Sequence, residues 1–281
     1  MIASAELKRM AGHSGIHYGV LERDYCLGWL LYGISRERKL YHGMVFKGGT
    51  ALKKCYFGEF RFSQDLDYTC RKELPQDELE PLIQNACRNA SHMSGIEFKP
   101  AEFRKSRSVH GEEAFVAKID YRGPSNPKTM LPRIQLDMTY YEDIVLEPQD
   151  RFVLHYYSDH LRGAKAWCYC LEEILAEKFR AILQQRKRVP RPRDFYDLWW
   201  VLKNGKCDKA LVRQAFEAKC KLKNEPFKST QDFFNKFLLA KNRAAWAASI
   251  AKQVKEAPAF DHVVEELRPM IERTLAYRSF S

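Results

Sequence analysis

The sequence predicts a mixed α/β (α+β) chain: a sheet with flanking helices over residues 1–160 and a helical domain over 161–281. Three observations predict it. Arg133 to Tyr140 alternates cleanly between apolar and polar residues, the period of a half-buried strand. Met44-Val45-Phe46, the Gly48-Gly49 pair and the segment from Thr50 read as strand, tight turn and helix. Beyond Gly163 the apolar spacing changes to the helical period, as in Leu171, Ile174, Leu175, Phe179, Ile182 and Leu183.

Taken in order, residues 5–40 are expected to be helical, with Tyr25, Leu27, Leu30, Leu31 and Ile34 as an apolar stripe. The Met44 strand follows, and Thr50 opens a helix carrying Ala51, Leu52, Cys55 and Tyr56. Pro75 to Met93 reads as an acidic-then-apolar helix, and Gly95 to Lys105 and Ala114 to Tyr121 as strands. In the strand from Arg133, Ile134, Leu136 and Met138 make one face and Gln135, Asp137 and Thr139 the other. After the helix around Lys178 comes a basic, proline-punctuated run, Arg186 to Arg193, which reads either as a phosphate-tracking loop or as a solvated linker. Asp194 then opens a helix whose apolar face is Phe195, Leu198, Trp199 and Leu202, with Asp194 itself a candidate N-cap. From Lys203 onward helices carry Phe216, Phe227, Phe233, Phe234, Phe237, Leu238 and Trp246 among lysines, a spacing that favours core over base stacking.

The chemistry centres on Asp65 and Asp67. Residues two apart in a strand point to one side, roughly 6 to 7 Å apart, so both carboxylates can converge on a cation. Two acids that close raise each other's pKa unless a cation is present, which points to Mg²⁺ or Mn²⁺; the bland alternative is a solvated turn. Just upstream, Gly48 and Gly49 permit close backbone approach, and Lys47, the helix-opening N–H groups and the Thr50 hydroxyl suit the oxygens of a triphosphate. Asp137, an acid within a strand and on its polar side, is the expected third carboxylate. Three such acids are the donors used in two-metal phosphoryl transfer, with Asp65 and Asp67 on both ions and Asp137 on the one nearest the attacking hydroxyl.

In the second half Lys178 falls within an apolar helical stripe, where an unpaired ammonium is costly. It is expected to meet an acid such as Asp194 or a bound triphosphate, or else to snorkel to solvent. Arg180 lies on the opposite face, whereas Arg186 returns near the stripe and suits nucleotide or RNA contact. By angular count Asp194 ranks above Asp197 as the acid for Lys178 or the nucleotide.

In Phe46-Lys47-Gly48-Gly49-Thr50-Ala51-Leu52, Arg61-Phe62-Ser63, Asp65-Leu66-Asp67, Glu173 to Lys178 and Arg193-Asp194-Phe195-Tyr196-Asp197-Leu198, the chain resembles the AbiEii/AbiGii toxin-type nucleotidyltransferases, which include the MenT toxins and belong to the DNA-polymerase-β-like superfamily. The resemblance spans most of the chain, with Gly49-Thr50 where the superfamily usually has Gly-Ser. It implies a polymerase-β-like sheet with a C-terminal helical domain, and transfer of NMP from an NTP to an acceptor hydroxyl with Mg²⁺ or Mn²⁺ on Asp65, Asp67 and Asp137. It implies nucleotide contacts from Lys47, Gly48, Gly49, Thr50, Arg61 and Ser63, and an essential acid in the Asp194/Asp197 block without specifying which. It further implies the 3′ end of tRNA as acceptor, a cognate antitoxin as partner, and a role in toxin–antitoxin or abortive-infection defence. The residues alone leave open a small-molecule or protein acceptor, and also a non-catalytic RNA- or antitoxin-binding module on the same scaffold.

Composition agrees with this class. The formal net charge of +11 favours polyanionic partners such as tRNA or other RNA. The eight cysteines show no Cys-x-x-Cys spacing and are expected to be reduced and mostly buried. The start lacks an apolar signal core and no run approaches a membrane span, so a cytoplasmic protein without membrane association is expected. Neither a phosphate loop ending Gly-Lys-Ser/Thr nor Gly-x-Gly-x-x-Gly occurs, and Gly12-His13-Ser14-Gly15 misses the hydrolase elbow spacing.

Overall fold

The computed structural model describes residues 1–71, 76–107, 113–126, 129–140, 142–184 and 190–275. The chain forms two compact units, one of Met1–Glu142 with Pro148–Tyr169 and one of Asp143–Glu147 with Cys170–Ser281.

The first unit begins with α1 (Ser4–Ser14), α2 (Tyr18–Arg36) and α3 (Arg38–Gly43). Gly15 ends α1 in the left-handed conformation, so the helical stretch read from 5 to 40 is broken where a glycine can turn it. β1 (Met44–Lys47) leads directly into α4 (Gly48–Ala51), which continues as one π-helical turn, Leu52–Tyr56. The helix therefore opens at Gly48, two residues before the expected Thr50. π turns inside helices cluster at functional sites, which is consistent with the position of this one. β2 (Leu66–Cys70), α5 (Gln76–Ser94), β3 (Glu97–Arg107), β4 (Glu113–Arg122), β5 (Arg133–Tyr140), β6 (Gln149–Phe152) and β7 (Lys165–Cys168) complete the unit.

The seven strands form one mixed sheet in the order β3-β4-β5-β2-β1-β7-β6. β2 with β5 and β1 with β7 are parallel, and the remaining pairs are antiparallel. One face is apolar: Phe46, Leu66, Tyr68, Leu136 and Met138 are almost wholly buried. α2 packs on α5 and α5 on β3, which closes that side of the core. The alternation read in β5 holds residue for residue, Ile134, Leu136, Met138 and Tyr140 being buried and Gln135, Asp137 and Thr139 half-buried.

The second unit is helical, with α6 (Leu171–Gln184), α7 (Pro192–Asn204), α8 (Lys209–Leu222), a 3₁₀ turn (Thr230–Phe234), α9 (Lys236–Ile250) and α10 (Phe260–Leu275). Its core is aromatic. Phe179 meets Phe216 and Phe233 edge-on, and Phe195 and Trp246 both pack on Phe260. Such edge-to-face pairs add about 0.5–1.5 kcal/mol each beyond the area they bury. The aromatics of the tail are thus mainly core, with Phe237 exposed. Arg180 is buried too, its guanidinium donating to Gln184 Oε1 at 3.1 Å, because α6 is enclosed on nearly every side. Glu173 is also fully buried. Its carboxylate accepts the Val145 and Leu146 N–H groups and the Lys219 ammonium, which pins the Asp143–Glu147 segment to this unit.

All eight cysteines are free, and seven are buried, as the scattered spacing predicted. Burial pushes the Cys26 and Cys168 thiols well up and Cys70 and Cys87 to about 12, so none of these four is a ready thiolate. Among the described residues, no helix is long and apolar enough to cross a membrane.

Candidate active site

Strand register sets the acids of the first unit. Lys47 lies opposite Asp67 on the antiparallel β1–β2 pair, and Asp67 lies beside Asp137 on the parallel β2–β5 pair. Residues so registered project from one face, so Lys47, Asp67 and Asp137 form a row across three strands. Neighbouring strands are about 4.8 Å apart, which places the two aspartates within reach of a shared cation. The row lies on the sheet's polar face, opposite Phe46, Tyr68 and Met138.

Asp65 sits one residue before β2 and is half-buried. Thr50, only 1% exposed, donates its hydroxyl to the Asp65 carbonyl. The Thr50 hydroxyl, expected to suit phosphate oxygens, thus fixes the backbone of the acid pair.

The two glycines pack where the sequence required them to. Gly48 has φ +79°, and a Cβ there would lie 2.6 Å from Asp67 Oδ2. A Cβ on Gly49 would lie 2.8 Å from Arg61 Nη2 and 3.3 Å from Ser63 Oγ. The turn backbone therefore closes directly on the Asp67 carboxylate, the Arg61 guanidinium and Ser63, and any side chain would force them apart. Arg61 is buried, stacks on Phe60 at 5.4 Å and donates to the Phe62 carbonyl at 3.1 Å.

Lys47, expected to suit triphosphate oxygens, has an acidic neighbour that the sequence did not mark. Its ammonium pairs with Glu142, whose Oε2 accepts the Thr69 hydroxyl as well, at 3.1 Å. The Thr69 hydroxyl is in turn 2.7 Å from the Tyr169 hydroxyl, and the Tyr169 ring lies 5.8 Å from the Lys47 ammonium. Glu142 was not legible beforehand, because it follows β5 in a stretch with neither strand nor helix period to flag it.

Among the described residues, no three His, Cys, Asp or Glu side chains stand together as a ready-made ion cage. The expected set of Asp65, Asp67 and Asp137 is therefore not a preformed three-acid cage, and both Asp137 oxygens accept from Gln135 Nε2, at 3.0 and 2.8 Å. A registered aspartate pair still fits Mg²⁺. That ion keeps several waters and is held by one or two carboxylates plus substrate phosphates, not by an all-protein shell.

The second unit carries a different cluster. Lys178 Nζ is 2.5 Å from Asp197 Oδ2 and 3.0 Å from Asp194 Oδ1, so the lysine within the apolar stripe meets acid and does not snorkel. The expected Asp194 does meet Lys178, and Asp197, which is fully buried and ranked below it, meets the ammonium as well and more closely. Both acids, three apart on α7, face the same way, and one ammonium bridges them. Asp194 lies in the first turn of α7 and Arg191 holds the cap position, so Asp194 is not the N-cap. Among the described residues Asp194 Oδ2 is buried without a hydrogen bond, with Arg191 Nη1 3.9 Å away. Arg186, expected near the nucleotide, lies outside the described residues, as does most of the basic run before Pro190.

Two solved structures share this fold. MenT4, a nucleotidyltransferase toxin from Mycobacterium tuberculosis, is 20% identical with a TM-score of 0.69, the match covering 99% of this chain and 91% of that one. JHP933 from Helicobacter pylori is 16% identical with a TM-score of 0.59, over 92% of this chain and 93% of that one. At these identities the likeness is one of fold. No curated protein matches the sequence. The family described as nucleotidyl transferase AbiEii toxin, type IV toxin–antitoxin system, matches residues 29–266, and with the register of its acids and the closure of its glycine turn on Asp67 already described, the chain belongs to that family.

Proposed function

We propose that this chain transfers a nucleoside monophosphate from an NTP to the 3′-terminal hydroxyl of tRNA, releasing pyrophosphate, with Mg²⁺ or Mn²⁺ on Asp65, Asp67 and Asp137 and a cognate antitoxin as its partner. The observation that carries this reading is the side-by-side register of Asp67 and Asp137, with the Gly48 backbone closed on the Asp67 carboxylate. A divalent ion, when bound, lowers the pKa of the attacking hydroxyl and offsets charge on the leaving oxygens. The protein's own contribution is position. Thr50 fixes Asp65, Gln135 orients Asp137, and Gly48 and Gly49 admit phosphate oxygens beside Arg61 and Ser63.

In the second unit Lys178 is a substrate contact in this proposal, with Asp197 as its buried counter-ion. Asp194 is the acid that serves substrate in this reading, since among the described residues one of its oxygens accepts no hydrogen bond and has only the Arg191 guanidinium at 3.9 Å. Buried acceptors without a donor are rare and costly, and a substrate hydroxyl or water would complete this one. The net charge of +11 supports an RNA acceptor, because phosphate neutralisation would add affinity and salt dependence.

The test is incubation of the protein with total tRNA, Mg²⁺ and each α-labelled NTP in turn, beside Asp65→Ala/Asp67→Ala. Label is expected at the tRNA 3′ end with the unaltered chain alone. Transfer to protein or to a small molecule instead would replace the acceptor, and no transfer to anything would leave a binding module.

A further inference from the structure

We propose that Lys53 is a positioning residue for the nucleotide: its buried ammonium ties the two ends of the loop at residues 58–62 together and so sets Arg61 and Ser63 beside the Gly48-Gly49 turn. The inference rests on the reading of that turn as the phosphate site and adds a residue that neither strand pattern nor motif identified.

Two lysines follow one another in the π turn, and both are buried, Lys53 at 7% and Lys54 at 2% exposed. They are held differently. Lys54 Nζ pairs with Asp24 Oδ2 at 2.6 Å, and that oxygen also accepts the Tyr157 hydroxyl at 2.9 Å. The Lys54 carbonyl accepts the Leu154 N–H at 2.7 Å. Lys54 therefore anchors the π turn to α2 and to the segment between β6 and β7. Among the described residues no carboxylate pairs with Lys53. Its ammonium donates to the Gly58 carbonyl and lies 4.3 Å from the centre of the Phe62 ring, while Asp24 and Glu59 act on it only from a distance.

A buried ammonium without an acid is costly, and a carbonyl and a ring face offset only part of that cost. For stability alone an apolar side chain would suit the place better. What the ammonium does, and an apolar chain cannot, is hold two points of one loop. Residues 57–65 form neither strand nor helix, so no hydrogen-bond ladder fixes their backbone. The Gly58 carbonyl secures the start of the loop, where a Cβ would also run into the Tyr156 hydroxyl, and the Phe62 ring secures its end. Arg61 and Ser63 flank that ring in sequence. They are the side chains on which the Gly49 backbone closes, at 2.8 and 3.3 Å from a Cβ built there. Desolvation lowers the Lys53 pKa, with the Lys54 charge acting in the same direction and Asp24 and Glu59 against it. The tie is present while Lys53 is protonated and is lost as pH rises through this depressed value.

The test is binding of the four α,β-methylene nucleoside triphosphates with Mn²⁺, measured by titration calorimetry on the full chain, with the thermal midpoint of each variant. The variants are Lys53→Met, Phe62→Leu and Lys54→Met. Lys53→Met is expected to weaken the best-bound analogue about tenfold while its midpoint holds or rises. Phe62→Leu leaves the charge in place and removes only the ring, so a smaller loss in the same direction separates positioning from plain attraction between ammonium and phosphate. Lys54→Met, which takes the cation from Asp24, is expected to lower the midpoint instead. In the unaltered chain affinity should decline at a lower pH than an ordinary lysine gives, and Lys53→Met should lack that decline. Unchanged affinity in Lys53→Met, a loss that only follows a fallen midpoint, or a silent Phe62→Leu overturns the proposal. Should Lys53→Met not fold, Phe62→Leu decides it by the same two readings. If the unaltered chain binds none of the four analogues, the phosphate reading of the glycine turn falls and the proposal with it, an outcome distinct from normal binding with a silent Lys53.

Discussion

The two units hold their acids in opposite ways. In the first, Asp67 and Asp137 are brought together by backbone register on a half-exposed sheet face, and the lysine registered with them is engaged by Glu142. In the second, Asp194 and Asp197 are brought together by side-chain chemistry: Lys178 bridges them and all three are buried. The difference follows from desolvation. A buried carboxylate must carry its counter-charge with it, whereas water screens a half-exposed one and makes its pairing less costly to change. The first cluster should therefore govern activity with little effect on stability, and the second should govern both.

The sharpest break of that contrast is Asp67→Asn. Loss of a cation ligand is expected to cut nucleotidyl transfer about 10³-fold, several kcal/mol of transition-state stabilisation, while the thermal midpoint stays within about 2 °C. A large fall in the midpoint would mean that the sheet acids are structural after all.

The counterpart in the second unit is Asp197→Asn, which removes one of the two acids that hold Lys178. Removing one partner from a buried pair costs about 3–5 kcal/mol, to be read from urea denaturation. Asp194→Asn should cost less, because Asp194 is the more exposed and only one of its oxygens meets Lys178, yet it should cost more activity. Equal stability losses with equal activities would erase the division between counter-ion and substrate acid.

Gly48→Ala tests the seam between backbone and acid in the first unit. The positive φ costs an L-residue about 1–2 kcal/mol, and the new methyl would press on Asp67 Oδ2. Activity is expected to fall further than stability, with Asp67 displaced; a stability loss without an activity loss would show that the close approach of Gly48 serves only the turn.

How far the sequence carried this picture depended on whether the relevant forces are local. β5 was legible because alternation records which face is buried, and with it the place of Asp137. Lys178 was legible because an ammonium in an apolar stripe demands an acid. The choice between Asp194 and Asp197 was not: residues three apart share a helix face, and an angular count cannot see that one ammonium bridges both. β6 and β7, four residues each, are too short to show a period. Glu142 pairs with Lys47 across 95 residues, and Thr50 turned out to serve the Asp65 backbone 15 residues on, contacts that only the folded chain defines. The burial of Arg180 was not legible either, since a helical wheel assigns faces and cannot see that α6 is enclosed.

The finest test of the contrast is Gln135→Ala. Gln135 donates its amide to both Asp137 oxygens from the same strand face, so it orients that acid without itself being able to serve as a charged ligand. One hydrogen bond to a charged group is worth about 1.5–3 kcal/mol when lost outright, but water reaches this half-exposed pair and can replace much of it. Transfer is therefore expected to fall only about three- to tenfold, with unchanged stability and with a parallel loss in Mn²⁺ affinity. If Asp137→Asn proves as damaging as Asp67→Asn while Gln135→Ala shows this small graded loss, the row acts as one ligand set whose geometry is adjustable. If Asp137→Asn and Gln135→Ala are both silent, the cation belongs to Asp65 and Asp67 alone, and Asp137 is a strand neighbour held by its own glutamine.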